Sequence, residues 1–415
     1  MLVAVAAIGD DQQKKQADGV VRDNEPVDAP PKKLSSAPQQ LAVREIEQYV
    51  SPLAILLAHN GSDVNFALRF GFTSLLRDFW LNCVIHGIYY SSDLARKRAN
   101  SLKTIARYTP PLIDGAIEDQ HFDASLDDRS LLKRRIGGPQ AIVEHKRRLI
   151  NQIPTEELHI RTLTYERTVF VEATHFLECM RAEAGGCSKV LAYFVEPAFK
   201  TGDAASVMVA IAGKATDTYT ARIFSGVYPE FSASRVADQL ADVFVGCCHR
   251  LEGVQSVATT MADRIIAAAP SALCRKLSLF ALLELLTLLW ASCLMEETDE
   301  YATKSIFASE RGGRVAIEMP DSYKFRQQTL KNFHAKARSW VLNVGSLAGF
   351  DLKGLLQTYL SEFDDQGTLG HISLGRTFAL EMGTSVPGAD RRLGTSSLLL
   401  GNLLFLLTAP HHQLR

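Results

Sequence analysis

A chain of 415 residues, 47% of them hydrophobic, has material for two or three ordinary domains or for one extended rod of repeats, with ample apolar surface for a core. With 45 basic against 46 acidic side chains the net charge is -1, so whole-molecule electrostatics favour neither nucleic acid nor an acidic membrane. Seven cysteines form an odd set without a CxxC, which reads as reduced thiols in an intracellular protein and excludes a disulfide framework.

Residues 1–38 hold few large apolar side chains and many breakers, so a disordered leader is expected. Met1–Ile8 is apolar, but no basic region precedes it and Asp10-Asp11 follows at once, which argues against a signal peptide. Leu41–Ala58 is helical in pattern, with Ser51-Pro52 predicting a break or a new start. Asn60-Gly61-Ser62 matches a glycosylation sequon but reads as helix-cap chemistry.

From Val64 to Tyr90 apolar residues come in pairs four apart, Leu75/Leu76, Phe79/Trp80 and Cys83/Val84 among them, which predicts one helix with Ser62 or Asp63 as N-cap. A four-residue step overshoots one turn by about 40°, so the stripe winds round the cylinder and needs several neighbours to cover it. Gly71, inside that pattern, is a site for a kink. Ser91 or Ser92 caps an amphipathic helix, Asp93 to Tyr108, that Thr109-Pro110-Pro111 ends. Residues 113–138 read as a long connection.

Helices dominate thereafter. They are predicted over Gln140–Gln152, over Leu163–Glu183 closed by Gly185-Gly186, over a short Val190–Phe199, and from Asp203 through Ile223. Another starts at Ser232 or Ser234 and meets its successor across Glu252-Gly253, a link so short that the two must form an antiparallel hairpin. Pro270 and Ser271 open a very apolar helix to Met295, nearly long enough to span a bilayer but carrying Glu284 in its middle, and so expected to be buried. A loop from about Thr298 to Pro320, a helix Tyr323–Leu347 and another from Leu352 to Phe363 complete the series, and after Met382 the pattern fails. No period-2 strand is evident. The expected fold class is all-α, an α-solenoid of degenerate HEAT or armadillo-like hairpins over 39–365, with a short helix and a poorly ordered tail over 366–415. A compact helical bundle is the alternative.

Catalytic signatures are missing. Gly213-Lys214 resembles the end of a phosphate loop, but Met208 stands where a glycine is needed and Ala215 where Ser or Thr is needed. There is no GxGxxG, no HRD or DFG triplet and no GxSxG, so no catalytic residue and no cofactor is assigned. His175 and Cys179, four apart with Cys187 near, could share a metal, yet no fourth ligand is close and a packed thiol beside a hydrogen-bonded imidazole is the simpler reading, so no metal is assigned. Cys247-Cys248-His249 reads as structural, because adjacent helical residues diverge by about 100°. Arg96, Lys103 and Arg107 share one helical face, with Lys97 and Arg98 beside it, and Lys146-Arg147-Arg148 forms a second basic cluster. The first stripe is the candidate contact for acidic lipid or an acidic partner, against the ordinary alternative of a solvated face. Without interleaved aromatics it is not a nucleic-acid surface.

At Leu68–Trp80 the sequence resembles the N-terminal helical region of the type III alpha phosphatidylinositol 4-kinases. That family carries an Arg-Asp/Asn-Phe/Tyr-Trp element on a long helix, matched by Arg77-Asp78-Phe79-Trp80, and then a helix ending Ile-Ala-x-x-Ser/Thr-Pro, matched by Ile105, Ala106, Thr109 and Pro110. The stretch Val257–Leu273, with Ala262-Asp263 and Pro270, fits a HEAT-type hairpin. The resemblance covers about Leu41 to Phe363 and is diffuse after its first block. It implies a scaffold without chemistry of its own, cytoplasmic and peripheral at the plasma membrane. It also implies assembly with a tetratricopeptide-repeat adaptor and a membrane-anchored helical-rod protein, and a homodimer through the full-length enzyme. The lipid-kinase domain of that family has no counterpart here, and the leader and leucine-rich end depart from its pattern, so a fragment or truncated gene product is expected. An unrelated HEAT-type trafficking or transport adaptor is the alternative function, and a peripheral membrane binder acting through the Arg96–Arg107 stripe is a third.

Overall fold

The computed structural model describes residues 37–60, 72–113, 138–225, 228–298, 305–309, 315–362 and 373–386. The expected leader, the caps at Ser62 and Asp63, the kink at Gly71, most of the 113–138 connection and the leucine-rich end lie outside these residues. Within them the protein is all-α apart from one small strand pair. It divides into two compact units, residues 1–219 and 220–415.

In the first unit α1 (Ala37–Asn60) runs unbroken through Pro52, contrary to the break expected at Ser51-Pro52. Proline removes one amide bond, but Val50, Leu53 and Ala54 are buried on either side of it and hold the helix together. The helix predicted over Val64–Tyr90 is observed as α2 (Phe72–Ile85) and ends five residues early. Gly87 takes φ +86°, a left-handed conformation that glycine adopts without a Cβ clash. Its amide donates to Val84 O at 2.9 Å and the Ile88 amide to Cys83 O at 2.7 Å, closing the C-terminus in the manner of a Schellman turn.

Ser92 caps α3 (Asp93–Lys97), its hydroxyl accepting from the Ala95 amide. The helix expected to run on to Tyr108 is broken at Arg98, where φ -106° and ψ 20° leave the helical region, and resumes as α4 (Ala99–Tyr108). Then come α5 (Gly138–Gln152), α6 (Glu157–Thr162), α7 (Tyr165–Glu183) and two 3-10 turns over Ser188–Val195 and Pro197–Phe199. The unit boundary falls inside α8 (Asp203–Ser225).

The central element of this unit is α7. Every residue from Thr168 to Ala182 is buried, because α2, α4 and α5 all pack on it. Six of those buried residues are polar or charged, Thr168, Glu172, Thr174, His175, Glu178 and Arg181, and the charged ones determine how the helix is held.

The second unit opens with the predicted hairpin, α9 (Ala233–Cys247) and α10 (Glu252–Ala268), paired across residues 248–251. The apolar helix expected from Pro270 is two elements. A single turn, α11 (Pro270–Leu273), stops where Cys274 leaves helical geometry at ψ 36°, and α12 (Lys276–Thr298) follows. Ser278 Oγ donates to Ala272 O at 2.5 Å and so ties the two together across the break.

The loop after α12 contains an antiparallel pair, β1 (Ile306–Ala308) and β2 (Ala316–Glu318), where no strand was expected. Three residues are too few to display a period of two. The pair exists because Phe307 and Ile317, opposite each other in register, are both buried where the strands pack on α12. The two helices expected over Tyr323–Leu347 and Leu352–Phe363 form α13 (Tyr323–Glu362), kinked at Ala348 with φ -136° and ψ 46°. Finally α14 (Leu374–Ser385) packs on both α12 and α13.

Candidate functional site

The structure occupies the predicted basic stripe within the first unit. Arg96, 71% exposed, pairs with Asp93 of its own helix at 2.5 Å. Lys103 Nζ lies 2.8 Å from Glu183 Oε2, and Arg107 donates to Ala184 O at 3.1 Å. Both cations therefore sit at the C-terminal end of α7, where its unpaired carbonyls concentrate negative charge. Lys97 and Arg98 pair with Glu47 of α1 at 2.9 and 3.2 Å and hold its carboxyl below the usual range. The second cluster diverges. Lys146 donates to Arg161 O at 2.7 Å, Arg147 pairs with Glu144 at 3.0 Å, and Arg148 turns inward over the Tyr89 ring, its Nη2 3.0 Å from His145 Nδ1. His145 Nδ1 in turn lies 2.6 Å from Glu172 of α7, with both side chains buried.

The residues of the Arg77–Trp80 and Ile105–Pro110 blocks converge on one point, the chain leaving α4. Trp80 Nε1 donates to Thr109 Oγ1 at 3.0 Å, and Thr109 Oγ1 donates onward to Ile105 O at 2.8 Å. Arg77 Nε donates to Pro111 O at 2.8 Å. From the other side comes Arg181 of α7, only 2% exposed, which donates to Ala106 O at 3.2 Å and Thr109 O at 2.7 Å and pairs with Glu178. Tyr193 closes the cluster, donating to Glu178 Oε1 at 3.1 Å and accepting from the Leu112 amide at 2.9 Å. Burial pushes the Tyr193 hydroxyl's pKa far up, and the neighbouring Glu178 charge adds to it. Helix ends leave carbonyls without partners, and a proline pair cannot supply amides to bond them. This cluster satisfies them from two other elements, α2 through Arg77 and α7 through Arg181, while Tyr193 takes up the Leu112 amide. Arg181, Glu178 and Tyr193 were not singled out in the sequence; the available signal was a Glu178/Arg181 pair three apart inside an otherwise apolar helix.

The second unit has two comparable ties. Asp263 of α10, within the family-like stretch, accepts from Trp340 Nε1 at 2.7 Å and from Lys336 Nζ at 2.8 Å, both on α13. Among the described residues one helix, Lys276–Leu294, is long and apolar enough to cross a membrane. Here it is enclosed as expected, and the carboxylate of Glu284 accepts from Tyr359 Oη at 2.6 Å and from Ser309 Oγ. Arg326, also buried, donates to Ser292 O at 2.9 Å and Pro320 O at 2.8 Å and lies over the Phe307 ring.

His175 and Cys179 face each other, Sγ to Nε2 3.5 Å. Burial lowers the imidazole to about 3 and raises the thiol to about 12, so both are neutral at physiological pH. Among the described residues no three His, Cys, Asp or Glu side chains group to hold a metal ion.

Fold and site together define an all-helical protein whose buried charged and aromatic side chains fasten one helix to the next. No family model matches the chain. Phosphatidylinositol 4-kinase STT4 of Saccharomyces cerevisiae is 30% identical over 352 residues, which cover 84% of this chain and 18% of that protein. Phosphatidylinositol 4-kinase stt4 of Schizosaccharomyces pombe is 29% identical over 322 residues, 77% of this chain and 17% of the relative. The chain is a homologue of part of these phosphatidylinositol 4-kinases, and it spans less than a fifth of their length.

Proposed function

We propose that the chain is an N-terminal scaffold segment of a phosphatidylinositol 4-kinase, an α-solenoid of HEAT-like hairpins. On this reading it serves complex assembly and recruitment to the cytoplasmic face of the plasma membrane, and catalyses nothing by itself. One observation carries the reading. Similarity to the two yeast kinases runs over most of the chain, and the family-like residues Arg77, Trp80 and Thr109 are joined in one buried network. They build a frame that joins α2 to the chain leaving α4. Paired helices joined by short links, as in α9–α10, support the repeat architecture. The partners are the tetratricopeptide-repeat adaptor and the membrane-anchored rod protein implied by the resemblance. The Arg96 end of the basic stripe is the part still exposed to an acidic surface.

The test is a segment exchange in budding yeast. The homologous part of STT4 is replaced by this chain, and phosphatidylinositol 4-phosphate and the enzyme's position are followed. Retained product and plasma-membrane position are expected. A stable chimera that makes product in a lysate but no longer reaches the membrane would overturn the recruitment reading. Product formed by the purified chain from phosphatidylinositol and ATP would overturn the non-catalytic one.

A further inference from the structure

We propose that Ser101 is a phosphorylation site for an arginine-directed serine/threonine protein kinase, and that its phosphate undocks α1. The inference is independent of the lipid-kinase reading. The run Arg96-Lys97-Arg98-Ala99-Asn100-Ser101 places arginines five and three residues before a hydroxyl. Kinases of this class recognise that pattern through carboxylates that pair with each guanidinium. The side chains of Arg96 and Lys97 are 71% and 66% exposed, whereas Arg98, 37% exposed, is held by Glu47 of α1 and becomes available to a kinase when α1 lifts.

The acceptor sits at a joint. Ser101 Oγ lies 3.4 Å from Ser51 Oγ of α1, in the face where α1 packs on α4. α1 is held there by an apolar stripe, Ala42, Ile46, Val50, Leu53 and Ala54, and by the pairs of Glu47 with Lys97 and Arg98, while Ile55 and Leu56 on its last turns stay exposed. Ser101 is only partly buried in that face, and local opening of α1 completes a kinase's access to it. In the transfer, the bond from Ser101 Oγ to phosphorus forms as the bond between the γ-phosphorus of ATP and its bridging oxygen breaks. ADP leaves, and the hydroxyl proton passes to the kinase's catalytic carboxylate.

The product does not fit the closed joint. A gap of 3.4 Å between two hydroxyl oxygens has no room for a phosphate group. Glu47, one turn before Ser51 on the same face, would be left facing a charge of about -2. Arg98, one turn before Ser101, is in reach of the phosphate, which competes with Glu47 for it. α4 itself is preserved, since Ser101 is its third residue and a dianion is favourable in a first turn.

The experiment treats the full chain with ATP and a purified arginine-directed kinase, maps phosphate by mass spectrometry, and then compares amide exchange before and after. Phosphate on Ser101 is expected, abolished in Ser101→Ala. It should fall strongly in Arg96→Ala with Arg98→Lys, which keeps the Glu47 pair but removes the guanidinium fork. Exchange over 42–54 should rise about tenfold while 168–182 stays protected. Absence of phosphate at Ser101, or a phosphorylated chain with unchanged protection over 42–54, would overturn the proposal.

Discussion

The side chain with most depending on it in the first unit is Arg181. It is buried, paired with Glu178, and bonded to carbonyls at the end of α4. Arg181→Ala strands the Glu178 carboxylate and those carbonyls together, so urea denaturation should show a loss of about 3–5 kcal/mol. Replacing both Glu178 and Arg181 by Met removes the stranded charge and should recover part of that loss. The sequence marks Arg77 and Trp80 as distinctive but not what they hold, because their partners lie 34 and 29 residues away. Arg181 reaches back 72 residues to Thr109. Helical periodicity reports which face is apolar, not which polar group crosses to another element. The basic stripe shows the same limit: its face is real, and the bonds of Lys103 and Arg107 to α7, far along the chain, are not written in it.

Elements were more legible than contacts. The cap at Ser92 and the closure at Gly185 follow from local rules, since a cap and its amide lie within a few residues, whereas the closure at Gly87 is missed because the apolar pairs continue past it. The interruption at Ala348 is expected from the pattern, which ends one helix at Leu347 and starts another at Leu352. The breaks at Arg98 and Cys274 and the short strand pair escape such rules. Each depends on what the neighbouring helix requires, and none contains a proline or a long enough pattern to announce it. Packing at this scale gives a paired test. A Cβ on Gly375 of α14 would lie 2.4 Å from Leu283 O of α12 and 2.9 Å from Tyr359 Oη of α13, whereas one on Gly354 of α13 meets nothing within 4 Å. Gly375→Ala should therefore cost about 1–3 kcal/mol by forcing the helices apart. Gly354→Ala should stabilise by about 0.4–1 kcal/mol through a stiffer unfolded chain. Thermal melts of the two variants, shifted in opposite directions, are the check.

For the whole molecule, net charge offers little leverage on pH, and buried imidazoles take its place. Burial lowers His86 to about 4 and His175 to about 3, the latter with Lys214 adding to the shift. His249 and His334 in the second unit are lowered as well, chiefly by burial. Each is neutral when folded and takes up a proton more readily when unfolded. Their stabilising contribution is thus complete above the unfolded pKa of about 6.5 and is lost as pH falls toward the folded values. Between pH 6 and pH 4.5 the chain should lose up to about 1.4 kcal/mol per pH unit for each of His86 and His175. A melting series in matched salt, with His175→Gln reducing the slope, measures it. Time of synthesis adds a last consequence. Glu284 on α12 is clasped by Tyr359, which follows Leu294 by 65 residues. At roughly 5–20 residues per second, the ribosome exposes that greasy stretch for about 3–13 s before its clasp has been made. The nascent chain carries, for those seconds, a segment that chaperones and membrane-insertion machinery would both recognise.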